Sequence, residues 1–385
     1  MPARPGTRRA APSAVRVMLY CHDSYGLGHI KRTLSVSRHL RAHWPGAAQL
    51  LVTGSPLAHR LVGPDDPDYV KLPSVLKVGA GRYEARSLPL VLGEMVRMRS
   101  EMLLSAARHF RPDLLVVDHA PAGLEGEILP TLRELRRRGA RLVVGLRDVV
   151  DDAPVVRTAW RREGVYDLLA DVYDRILVYG QPDVYDVARE YAFPRQARAK
   201  TRYVGYLRRA AASPADEVRA GARAGVPLVL VTAGGGGDGD RLVATSLEAL
   251  GPAAALDPVI VAGPFARQTV RGRVLEFVDD LASYVAAADA VVAMGGYNSV
   301  CEILSFERPA VLVPRVRPRK EQLIRAQRLS GRGLVRMVHP DELTPRRLLA
   351  EVRTLLEAPR RPARPVALDG LAATAHELES LAAAG

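Results

Sequence analysis

The 385-residue sequence predicts an α/β protein of two Rossmann-like parallel-sheet units facing across a cleft. Three observations carry that expectation. Short apolar runs are followed by glycine-containing turns and amphipathic stretches, the same rhythm recurs in both halves, and a polar, arginine-rich break separates the halves around residues 195–209. Length agrees, since ~150 residues per domain gives two to three domains. With 48% hydrophobic and 25% charged residues and a mean hydropathy of -0.02, the composition is that of a globular chain.

Residues 1–13 are basic and Pro/Ala-rich and lead into an apolar run too short for a signal peptide, so a flexible tail is expected there. The first unit is expected over 14–200. Its strands are VRVMLYC (15–21), AQLLVTG (48–54), DLLVVD (113–118), RLVVGLRD (141–148) and RILVYG (175–180), apolar enough to be buried on both faces. GLGHIKRTLSVSRHLRAH reads as turn plus helix. Further helices are expected over 88–110 and 124–139, the latter closing on arginines and Gly139 as helix ends prefer. The second unit is expected over 201–365, with strands at 227–235, 258–264, 273–278, 289–296 and 309–314. Helices near 238–250, 280–287, 297–306 and 320–331 alternate with them. Residues 366–385 are expected to form a final helix packing back across the domains.

The two cysteines, Cys21 and Cys301, cannot build a disulfide framework or a four-cysteine zinc site, and a reducing cytoplasm fits them. No stretch approaches the ~18 consecutive apolar residues of a membrane span. The net charge of +13 invites a nucleic-acid partner, but 50 of the 55 cations are arginine, a bias that GC-rich codons produce unaided. Aromatics make up only 5% of the chain and offer few stacking platforms, so nucleic acid is not the expected partner.

Two glycine-rich turns follow strands of the second half. In VVAMGGYNSVCEIL, Gly295 and Gly296 end a buried strand, and Tyr297, Asn298 and Ser299 stand where a helix begins. Free amides there, with roughly half a unit of positive dipole charge, suit a pyrophosphate, and Glu302 one turn later could accept from ribose hydroxyls. The same residues also read as an ordinary N-cap with Glu302 as capping-box partner. In VTAGGGGDGDR, the amides of Gly234, Gly235 and Gly236 could approach a ligand closely, but the Gly-Lys-Ser/Thr ending of a P-loop is absent. Asp257 precedes a strand rather than ending one, which argues against a dinucleotide. In the first half, YGLGHI carries Gly26 and Gly28 after strand one, with Lys31 where a third glycine would belong.

FVDDLASYVAAADAVVAMGGYNSVCEI (277–303), followed by RPAVLVPRVRPRKEQLIRAQRL, resembles the C-terminal donor domain of MurG-like GT-B glycosyltransferases, and GLGHIKRT resembles more loosely the family's loop after strand one. The resemblance implies a nucleotide-diphosphate sugar as donor substrate, uridine-linked, with no separate cofactor. It places Val278, preceded by Phe277, at the nucleobase, Gly296 to Ser299 at the phosphates, Glu302 at the ribose and Gln322 at the donor sugar. Arg315, Arg317, Arg319 and Lys320 are more cations than such proteins usually carry there, and one of them could stabilise the leaving diphosphate. The implied acceptor is a small molecule, a glycan or a lipid-linked molecule, with peripheral contact at the inner membrane face.

Inverting sugar transfer needs a base for the acceptor hydroxyl and stabilisation of the departing diphosphate. Amides at a helix start serve the second need, and no Asp-x-Asp signature follows a strand in the second half, so no metal is expected. His29, at the end of strand one, is the expected base, and Asp118, ending DLLVVD beside strand one in a 3-2-1-4 order, would orient it. His22, Asp23 and His119 are rivals at the same strand ends. Asp148, Asp151 and Asp152 precede Pro154 and read as helix N-caps or as acceptor contacts. The 88–110 segment, with Arg97, Arg99 and Arg108, reads as a core-facing stripe or a membrane-docking face. A nucleotide-sugar epimerase on the same fold and a non-catalytic nucleotide-sugar or nucleic-acid binder are the competing functions.

Overall fold

The computed structural model describes residues 15–22, 27–79, 82–234, 238–263, 274–357 and 365–384. The first half contributes β1 (Arg16–Cys21), β2 (Ala48–Thr53), β3 (Tyr69–Lys71), β4 (Val75–Gly79), β5 (Arg82–Ala85), β6 (Leu114–Asp118), β7 (Arg141–Arg147), β8 (Arg175–Tyr179) and β9 (Thr201–Tyr203). Seven of them form a parallel sheet in the order β3-β2-β1-β6-β7-β8-β9. β4 and β5 pair as an antiparallel hairpin that the sequence pattern did not announce. Parallel register aligns Cys21 with Asp118 and Asp118 with Gly145, so β1, β6 and β7 end side by side. Gly145 is required inside β7, because a Cβ there would lie 2.3 Å from the Tyr179 hydroxyl.

The second half contributes β10 (Leu228–Thr232), β11 (Asp257–Val261), β12 (Val274–Leu275), β13 (Ala290–Ala293), β14 (Ala310–Leu312) and β15 (Arg336–Met337), all parallel in the order β12-β11-β10-β13-β14-β15. β1, β6, β10 and β13 are apolar and buried, as strands covered by helices on both faces must be. The expected 88–110 helix is shorter, Leu92–Phe110, and the 124–139 stretch divides into a 3₁₀ turn at Leu124–Gly126 and a helix at Leu129–Arg137, with Gly139 left-handed behind it at φ +80°. The last helix, Gly370–Ala383, packs on the first, Gly28–His43. Glu377 within it lies 3.1 Å from Arg175, and the Tyr206 amide donates to the Ala367 carbonyl just before it.

The halves share one continuous apolar cluster that joins Ile30 and Leu34 to Tyr297, Val300 and Leu378. A buried ion pair also spans them. Arg325, in the helix Glu321–Ser330, donates two-pronged to Asp148 just past β7 (2.7 and 2.9 Å), and Nη1 reaches the Gly295 carbonyl. Both side chains are shielded from water. The N-capping expected of the acidic cluster is therefore not what the structure shows. Asp152 sits at the N-cap of Ala153–Arg162 without a side-chain cap bond, and it instead pairs with Lys320 at 2.9 Å. Asp151 accepts from the Lys320 amide. Arginine wins Asp148 because its planar fork satisfies both carboxylate oxygens in a place where a lone cap bond would leave one stranded.

Candidate active site

His29 lies in the first turn of Gly28–His43, directly past β1, and its Nδ1 is 2.7 Å from Asp118 Oδ2 at the end of the neighbouring β6. Arg32, three residues along the same helix, closes on the other side of that carboxylate. Nε meets Oδ1 and Nη2 meets Oδ2, both at 2.6 Å. Burial alone would raise the Asp118 carboxyl, but the Arg32 guanidinium and the His29 bond outweigh it and hold the group well below the usual carboxylate range. An ionised Asp118 can only accept, so the His29 proton sits on Nδ1 and the Nε2 lone pair is left to act.

Two further imidazoles crowd His29. The His22 ring is 4.6 Å away and the His119 ring 5.1 Å, centroid to centroid. Burial, helped by neighbouring positive charge, pushes both well below the ordinary histidine value. That weakens them as bases, whereas His29 keeps 18% of its side chain exposed and has Asp118 behind it. Geometry thus separates His29 from two of its rivals; Asp23 and Gly26 lie outside the described residues.

Across from the dyad, Gly295 turns the chain at φ +83° after β13, and the helix Tyr297–Ser305 begins with Gly296 as N-cap and no side-chain cap. The capping-box alternative is not formed. Asn298 instead reaches to the other half, where Nδ2 donates to the Gly28 carbonyl at 3.1 Å, while its oxygen accepts from Arg209 at 2.8 Å. The amides opening this helix therefore stand directly against the first turn of the helix that carries His29. Glu302, one turn on, is buried, and its Oε2 has no partner. Burial raises its carboxyl above the ordinary value against the pull of Lys31 and Arg209. Lys31 rests 5.7 Å from the Phe277 ring centroid and Arg60 5.0 Å from it, and Val278 next to Phe277 is half-buried. The turn at Gly234 is left-handed at φ +78°; Gly235 and Gly236 fall outside the described residues.

Gln322 is buried, and its side-chain oxygen accepts from the Arg315 amide at 3.0 Å, bracing the cationic loop. Arg315 itself is spoken for by Asp238 at 2.7 Å and by Glu321. With Lys320 on Asp152, only Arg317 and Arg319 of that run make no ion pair among the described residues. In Leu92–Phe110, Arg99 is buried against Glu127 and faces the core, while Met98 on that helix and Leu88 and Val91 before it are exposed.

Residues 260–375 match the glycosyltransferase family 28 C-terminal domain. An uncharacterized glycosyltransferase of Methanopyrus kandleri is 31% identical over 151 residues, 37% of this chain and 43% of that relative, so less than half of the relative's length is spanned. The crystal structure of the glycotransferase of kitacinnamycin superposes with a TM-score of 0.63 at 18% identity, covering 97% of this chain and 96% of that one. The UDP-N-acetylglucosamine--N-acetylmuramyl-(pentapeptide) pyrophosphoryl-undecaprenol N-acetylglucosamine transferase of Paenarthrobacter aurescens is 27% identical over 340 residues, 86% of this chain and 85% of the relative. Residues 260–375 thus resemble a family 28 donor domain, the chain is similar to MurG-like glycosyltransferases, and its fold is GT-B.

Sequence reasoning about this MurG-like chain missed Arg32, Arg147, Arg209 and Arg325. Arg32 had a signal, since i and i+3 share a helix face and a cation beside His29 needs an acid. Arg147 had one too, being a charge at the end of a strand otherwise buried in apolar company. Arg209 and Arg325 act across the halves and carry no local pattern.

Proposed function

We propose that this MurG-like glycosyltransferase moves a sugar from a uridine-linked nucleotide diphosphate to an acceptor hydroxyl, with inversion and without a divalent metal. The observation that supports the reading is the 3.1 Å bond from Asn298 to the Gly28 carbonyl, which holds the helix start that would bind the diphosphate against the residue before His29. His29 Nε2 takes the hydroxyl proton as the acceptor oxygen attacks the anomeric carbon from the face opposite the diphosphate. The bond to the diphosphate oxygen breaks, and the electron pair leaves with it toward the amides of Tyr297 to Ser299. Glu302, with its unpartnered oxygen, would accept from the ribose hydroxyls, and Phe277 with Val278 would border the base.

The acceptor is unassigned among small molecules, glycans and lipid-linked molecules; the name of the Paenarthrobacter relative supports the last. Exposed Leu88, Val91 and Met98 would then offer peripheral apolar contact, since no helix among the described residues is long and apolar enough to cross a membrane. Calorimetric titration with UDP, dTDP and GDP tests the donor. Binding of UDP that weakens in Glu302→Gln supports the reading, and failure of every nucleoside diphosphate to bind refutes it. Donor consumed without acceptor, yielding an isomeric nucleotide sugar, would point to the epimerase instead.

A further inference from the structure

Tyr297 opens the helix whose amides would meet the diphosphate, and its side chain is buried. Two guanidiniums stand over its ring, with Arg32 Cζ 5.5 Å from the ring centroid and Arg325 Cζ 5.8 Å from it. Both arginines are fully buried, and each already holds one carboxylate with two nitrogens, Asp118 for Arg32 and Asp148 for Arg325. The face of an aromatic ring attracts a cation, most strongly where water is excluded. Leucine or methionine would fill the same surroundings and offer no such face.

These contacts form one line from the dyad to the phosphate turn. His29 meets Asp118, Asp118 meets Arg32, and Arg32 lies over Tyr297. Arg325, over the same ring, donates to the Gly295 carbonyl at 2.9 Å. A third group comes from the segment between the halves. The Tyr206 ring stacks on Tyr297 with centroids 6.2 Å apart and planes 22° from parallel, and its hydroxyl donates to Asp148 at 3.2 Å. Asn298, the next residue, also joins the halves, but through an exposed hydrogen bond to Gly28 that water can replace. The contacts of Tyr297 are buried and have no such substitute.

We propose that Tyr297 is a positioning residue: held by Arg32 and Arg325, its ring keeps the start of Tyr297–Ser305 in register with the His29–Asp118 dyad, so that a donor bound at the helix start is aligned with the base. The tie runs in both directions. A ligand that moves the helix start moves the ring and Arg32 with it, and occupancy of the donor site is felt at His29 through packed, charged neighbours. That the alignment serves a nucleotide-diphosphate donor rests on the transfer reading above; the hold of the ring on the dyad does not.

Nuclear magnetic resonance of the full chain labelled with ¹⁵N-histidine tests this, with His29→Gln identifying the His29 signals and UDP as the probe. Tyr297→Phe keeps the aromatic face, whereas Tyr297→Met and Tyr297→Leu lose it. Without ligand, the His29 imidazole signals should move in the Met and Leu variants and return close to their wild-type positions in Tyr297→Phe. On saturation with UDP the His29 signals of wild type and Tyr297→Phe should shift. In the Met and Leu variants that shift should fall to about half or less while UDP affinity stays within about threefold, because the phosphates are met by main-chain amides. Unchanged His29 signals in the unliganded Met and Leu variants, or a change that Tyr297→Phe reproduces in full, overturn the proposal. UDP that saturates wild type and leaves His29 unmoved overturns it as well, whether or not the variants fold. If no nucleoside diphosphate binds but the unliganded variants differ as stated, the transfer reading fails and the hold of the ring on the dyad stands.

Discussion

Arg32→Met keeps most of the side-chain volume of a fully buried arginine but deletes both 2.6 Å bonds to Asp118 and leaves that carboxylate with His29 alone. Removing one partner of a buried pair costs about 3–5 kcal/mol, because the surviving charge stays desolvated. A loss of that size lowers the melting temperature by on the order of 10 °C. In wild type, burial raises the Asp118 carboxyl and Arg32 with His29 lowers it further still, so its contribution to stability is present above the unfolded value of about 3.9 and is lost as pH falls toward the native value. Without Arg32, burial is opposed by His29 alone, and the native carboxyl rises from its depressed position. The variant's deficit should therefore be largest at neutral pH and shrink on acidification, as protonation removes the unpaired charge. Urea unfolding of both proteins at pH 7, 6 and 5 measures this. A deficit below about 1 kcal/mol at pH 7, or one that does not narrow with falling pH, would refute the claim that Arg32 holds Asp118 ionised. Arg32→Lys, which keeps the charge and loses the fork, should fall between the two.

Three other outcomes follow from the same geometry. His29→Gln should lower turnover about 10²–10⁴-fold while UDP affinity, measured by calorimetry, changes little; normal turnover would exclude it as the base. Glu302→Gln should weaken UDP about tenfold and yet raise the melting temperature at neutral pH. Its buried carboxyl titrates above the ordinary value, so the native state disfavours the charged form, and the gain should fade as pH drops through that raised value. Arg325→Met and Asp148→Leu should each destabilise by about 3–5 kcal/mol, and combining them should recover most of the loss; simple additivity in denaturant melts would disprove their coupling.

The parts legible in the sequence are those set by local periodicity. Continuous apolar runs such as LLVVD and RILVY read as buried strands because a parallel sheet covered on both faces admits little else, and Gly295 and Gly296 read as a turn because such a chain reversal favours residues without a Cβ. The pairing of His29 with Asp118 was readable from topology, since the strand after the crossover lies beside β1. What could not be read was chosen over long range. Asp148 looks like a cap from its neighbours, and only the approach of Arg325, 177 residues away, decides otherwise. Asn298 looks like a cap too, but no local rule shows that Gly28 and Arg209 will claim both ends of its amide.

Those cases share one cause, and it changes how the arginine excess is understood. Codon bias accounts for 50 arginines against five lysines as a count, but it does not account for where they go. Arg32, Arg99 and Arg325 are among the largest fully buried side chains, and each satisfies both oxygens of an acid from another element. A lysine in those places would leave one oxygen or one ammonium proton without a partner in a region where water cannot supply it. The fork therefore lets this chain brace strand ends and join its halves with charge. Set against that use, Arg147 at the end of β7 differs: it is only partly buried and meets His119, with no carboxylate among the described residues within ion-pair distance.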